Sequence, residues 1–156
     1  MASALDQQIL DVIVTKLAAI TTGNGYQQTV LAANIHRPPQ SLREFSAGEC
    51  PGLSVRLESK ENEYDLRGSE ELLIGVNIQC AATSAVLLRA LISDVKKLAY
   101  ANKRWNDGSA NLALRTWIDE DFAHEPEVEE AVVTGSVHLT IKARADQTDP
   151  TAVKAI

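Results

Sequence analysis

The chain has 156 residues, which fits one domain, and at that length roughly two-thirds of the unfolded surface can be buried. A net charge of −6, from 21 acidic against 15 basic residues, argues against a protein that grips nucleic-acid phosphates over a broad surface. Aromatic residues are only 4%, which argues against a single-strand stacking platform and leaves the core to Leu, Ile, Val and Ala.

The first ten residues, MASALDQQIL, lack a basic segment followed by a continuous apolar run, so no secretory leader is expected. No apolar run approaches the roughly 20 residues of a membrane span. Residues 4–20 place Leu5, Ile9, Val12, Ile13, Leu17 and Ile20 at helical spacing. Ser3 suits the N-cap, and Asp6 lies in the first turn, where the helix dipole favours a carboxylate. Gly23 fits the left-handed position that ends many helices, and Asn24-Gly25 fits a tight turn. Tyr26 to Ile35 then reads as a first strand, with Val30, Leu31, Ala32, Ala33 and Ile35 partly buried.

His36 to Gly52 holds three prolines and two glycines and reads as a loop, long for a compact domain. Leu53, Val55 and Leu57 alternate with polar residues, as in a half-buried strand. The polar segment SKENEYDLRGSE reads as a link. Leu72, Ile74, Val76, Ile78 and Cys80 give the cleanest alternation in the chain. Thr83 or Ser84 caps a helix over about 85–101, with an apolar stripe through Leu87, Leu88, Leu91, Ile92, Val95, Leu98 and Ala99. Arg89, Asp94, Lys96 and Lys97 fall on its polar side. Asn106-Asp107-Gly108 is a turn. Residues 111–122 alternate through Leu112, Leu114, Thr116 and Ile118, and residues 130–144 through Ala131, Val133, Gly135, Val137, Leu139, Ile141 and Ala143. The tail beyond carries no core pattern.

The order predicts an α+β fold: a mostly antiparallel β-sheet with two main α-helices packed on one face. It predicts one domain over 1–145 and an extended C-terminal tail over 146–156.

Candidate chemistry is sparse. Gly23-Asn24-Gly25 lacks the third glycine and following helix of a dinucleotide fingerprint, and it follows a helix, so it reads as a structural turn. Trp117 to Glu130 carries Asp119, Glu120, Asp121, Glu125, Glu127, Glu129 and Glu130 with no basic residue. Asp119, Asp121 and His124 are chemically competent metal ligands, but no spacing completes a cage. A solvated charged hairpin is the simpler reading, with a protein-facing or lumen-facing acidic patch as the alternative. His36, His124 and His138 are scattered, and no local pattern sets a Ser or Cys beside a His and an acid. Cys50 and Cys80 have no metal spacing and are expected as unpaired thiols, Cys80 in the core. No cofactor is implied. The loop over 37–52 carries Leu42 and Phe45 in a polar setting, flanked by Arg37 and Arg43. Leu42 and Phe45 could fold back on the domain itself, or the four could meet a neighbouring subunit, with the arginines facing Glu127, Glu129 and Glu130 of an adjacent subunit.

Several segments together resemble the tail terminator, or tail completion, proteins of tailed bacteriophages. They are the run Ile20, Thr21, Thr22, Gly23, Asn24, Gly25 and Tyr26, a strand ending Ile35-His36-Arg37, the helix LLRALISDVKKL, and a closing strand before Asp149-Pro150. The resemblance spans about residues 4–150. It implies a non-enzymatic virion subunit, assembled in the bacterial host cytoplasm and located at the tail neck. It implies a homohexameric ring that caps the tail tube and meets the head connector, with a sheath as a further candidate neighbour. In such a ring the loop over 37–52 could meet an adjacent subunit or the tube. DNA would pass through such a ring without specific binding, and no membrane is involved. The alternatives are another neck or tube subunit of the same fold, or a small cytosolic ligand-binding protein or enzyme.

Overall fold

The computed structural model describes residues 4–37, 45–64, 69–121, 132–146 and 149–153. It is an α+β fold whose strands are mostly antiparallel. Helix α1 spans Leu5–Leu17 and helix α2 spans Ala85–Ala101. The strands are β1 (Ile35–His36), β2 (Gly52–Tyr64), β3 (Ser69–Ala82), β4 (Arg115–Asp121), β5 (Val133–Asp146) and β6 (Asp149–Val153). The sheet order is β1-β2-β3-β5-β4, with β6 added against the end of β5. Only β1 runs parallel to its neighbour. No helix among the described residues is long and apolar enough to cross a membrane.

Both helices lie on one face of the sheet, α1 against β1, β2 and β6 and α2 over β3, β5 and β4. The spacing of Leu5, Ile9, Ile13 and Leu17 puts one apolar stripe of α1 on the core, and all four are buried. Leu88, Leu91, Ile92, Val95 and Leu98 do the same for α2. Leu87, assigned to that stripe by periodicity, is instead exposed. Beneath the helices, Ile74, Val76, Ile78 and Cys80 of β3 pair in register with Ile141, Leu139, Val137 and Gly135 of β5. Ser84 caps α2 by accepting a hydrogen bond from the Leu87 amide at 3.2 Å. Ser3, expected to cap α1, lies outside the described residues.

Several expectations are corrected. Tyr26 to Ile35 is not a strand. Only Ile35–His36 pairs, and the preceding residues form turns, including a 3₁₀ turn at Ala32–Asn34. Several of their amides find partners outside a ladder: Gln27 and Gln28 donate to Asp94 of α2, Tyr26 to the Thr21 carbonyl and Val30 to the Ile20 carbonyl. The polar link after Leu57 is also strand: β2 runs to Tyr64 and β3 starts at Ser69, making a long hairpin. A bulge between Leu57 and Ser59 hid this, because it reverses which side chains face the core. The β4 strand starts at Arg115, later than the alternation suggested, because Leu112 and Ala113 belong to a packed loop. Part of the C-terminal tail forms β6, and Val153 packs against the core.

Candidate assembly surface

The joint after α1 is built from short-range hydrogen bonds. The Thr21 hydroxyl accepts from the Asn24 amide at 3.2 Å, and the Asn24 side chain donates to the Ala19 carbonyl at 2.9 Å. The left-handed residue is Gly25, with φ 89°, and not Gly23. Helix α2 then holds the chain beyond the turn. Asp94, buried to 2% exposure, accepts from the amides of Gln27 at 3.0 Å and Gln28 at 2.9 Å. Lys97 donates to the Gly25 carbonyl at 2.9 Å and sits 5.0 Å from the Tyr26 ring centre. Sequence pattern had placed Asp94 on the solvent side. A carboxylate flanked by Ser93 and Val95 carries no local sign that it will anchor a distant loop.

The sheet face away from the helices is polar, buried at one end around Ser54, Asn77, Gln79 and Ala81, and exposed toward the other. Its side chains form rows across the strands. Glu71 pairs with Lys142 at 2.8 Å and lies 3.8 Å from Arg144. Glu58 meets His138 at 3.2 Å and Arg56 at 3.3 Å. Leu73 and Trp117 stand among these charges at 38% and 41% exposure. They border a shallow depression of about 530 Å³ shared with Glu61, Glu63, Glu71 and Lys142. The Arg115 guanidinium lies over the Trp117 ring, 4.7 Å from its centre. Gly75 sits opposite the bulge, where a Cβ would come within 2.4 Å of the Ser59 hydroxyl.

The residues expected at an interface fall as follows. Arg37 is engaged within its own chain, donating to Asp11 and, at 2.8 Å, to the side-chain oxygen of Gln7, both on α1. Phe45 is half-buried, 5.8 Å from the His36 ring, and it packs so closely on Gly52 that a Cβ there would meet it at 2.6 Å. Leu42, Arg43, Glu127, Glu129 and Glu130 lie outside the described residues, as does His124. Among the described residues, no three His, Cys, Asp or Glu side chains gather closely enough to hold a metal.

Each shifted titration has a local cause. Burial pushes the Cys80 thiol far up, and burial with the neighbouring Glu49 carboxylate raises that of Cys50. Both cysteines are free thiols. The hydrogen bond to Glu120, at 2.9 Å, raises the Lys96 ammonium. Hydrogen bonds from the Ala110 and Ser109 amides lower the Asp107 carboxyl, which closes the turn through Gly108. None of these groups converges with another on a cleft. What the surface can do chemically is present paired charge, flat apolar area and strand edges.

No protein-family model matches the chain, and no curated protein matches it. A chain from a solved structure of the virion of a native gene transfer agent particle superposes with a TM-score of 0.48 at 13% identity, over 86% of this chain and 92% of that one.

Proposed function

We propose that this chain is a structural subunit of a phage-type virion, and within it a tail terminator that caps the tube as a ring below the head connector. The observation that carries the reading is the outer sheet face. It is shallow at its exposed end and cross-linked by charge pairs, with Leu73 of β3 and Trp117 of β4 half exposed on it. Such a surface is complementary to another protein surface more than to a small molecule, which needs a concave, largely apolar pocket. The Ile20-to-Tyr26 run supports the finer assignment by its resemblance to tail terminators. In this role the protein does no chemistry. Its work is geometric: one face matches the last tube ring and the other matches the connector. Acidic residues toward the lumen would keep passing DNA from adhering.

The test is electron microscopy with native mass measurement of the purified full chain. Closed rings that stop tube growth when mixed with tube protein are the expected result. A compact monomer at every concentration, binding a metal or a small ligand instead, would sink the proposal.

A further inference from the structure

We infer that neighbouring copies join edge to edge through their sheets, β4 of one copy lying antiparallel beside residues 56–61 of β2 in the next. The inference rests on the assembling-subunit reading above and specifies how its contacts are made.

The first observation is two open edges. Among the described residues, β4 has β5 on one side and no strand on the other. On the opposite side of the sheet, β1 pairs with β2 at Leu53 and Ser54, and among the described residues no strand pairs the rest of the outer edge of β2. A strand edge without a partner offers its backbone N–H and C=O groups as a template for another strand. Because the two edges differ, their pairing is head-to-tail, the type of contact that closes rings when the rotation allows it.

The second observation is that the opposite ends of three rows are complementary. Following the register across the sheet, Glu61 aligns with Leu73, Lys142 and finally Arg115. Arg56 aligns with Asn77, His138 and finally Asp119. A second copy that continues these rows without stagger sets Glu61 against Arg115 and Arg56 against Asp119. On the helix-covered face the same alignment sets Leu57 against Ile118, both only partly buried at the two rims of the core. Ser59 would then face Trp117. A slip of two residues keeps an acid, Glu63, near Arg115 but puts Ile118 against Lys60. The apolar match therefore selects the unstaggered register.

An alternative use of the same charges is to guard the edges against any pairing. Charge-swap variants of the full chain decide between the two. Arg115→Glu and Glu61→Arg, each shown folded by circular dichroism, are expected to weaken self-association by at least about tenfold, and the double variant to restore it. In a Cys50→Ser background, a Ser59→Cys chain mixed with a Trp117→Cys chain is expected to give a cross-linked heterodimer with a short bis-maleimide. That product arises only between copies. If the wild type forms rings but neither single swap disturbs them, or no heterodimer forms, the edge contact is wrong while the ring reading stands. If the wild type is monomeric at every concentration, both are wrong.

Discussion

Replacing Asp94 tests whether α2 holds the joint between α1 and β1. Its carboxylate takes two backbone amides, from Gln27 and Gln28, at 3.0 and 2.9 Å. Hydrogen bonds to a charged acceptor contribute about 1.5–3 kcal/mol each, so the gross loss in Asp94→Ala is about 3–6 kcal/mol. Two effects oppose it. Removing a buried carboxylate relieves its desolvation, and alanine is the better helix former by about 0.5 kcal/mol. The net loss should sit near the lower end, about 3 kcal/mol, or about 6–12 °C in melting temperature for a domain of this size. Asp94→Asn keeps the shape and one acceptor oxygen but turns an amide N–H₂ toward one donor, so it should cost about half as much. Urea unfolding gives the free energies. Hydrogen exchange gives the location: the Gln27 and Gln28 amides should lose protection in Asp94→Asn before the sheet does. A loss below about 1 kcal/mol for Asp94→Ala, or unchanged protection at those amides, would refute the anchoring role.

Trp105 is fully buried and donates from its indole to the Thr116 hydroxyl at 3.0 Å, which in turn donates to the Lys103 carbonyl at 2.6 Å. Thr116→Val strands both groups and should cost about 2 kcal/mol by denaturant titration, whereas Thr116→Ser should cost clearly less; equal costs would mean the hydroxyl is not the bridge. Cys80 should resist thiol reagents until the protein unfolds, while half-buried Cys50 reacts sooner. Because the fold raises the Cys80 pKa above the ordinary 9.0, its contribution is intact below that pH and declines as pH rises further, since the unfolded chain then gains by ionising. The loss of stability between about pH 9 and 10.5 should therefore shrink in Cys80→Ala relative to wild type, as followed by urea midpoints.

Periodicity alone determined both helices and the central strands. The α2 stripe and the alternation of β3 and β5 are repeated burial decisions along one element, and a few methylenes' worth of transfer free energy at each step enforces them. The α+β class with helices on one face follows from that order of elements. Only tertiary contacts decided the rest. Tyr26 to Asn34 has strand-like composition, but Asp94 takes the Gln27 and Gln28 amides, and the Thr21 and Ile20 carbonyls take those of Tyr26 and Val30. Beyond Leu57 the bulge reversed the inward side, so Lys60 turned toward Asp6 on α1, 3.6 Å away, and the strand read as a polar link. The complementarity of Glu61 with Arg115 was hidden for the same reason. The two residues are 54 positions apart (115 − 61) and lie at opposite edges of one sheet, in a row that exists only once four strands have set their register.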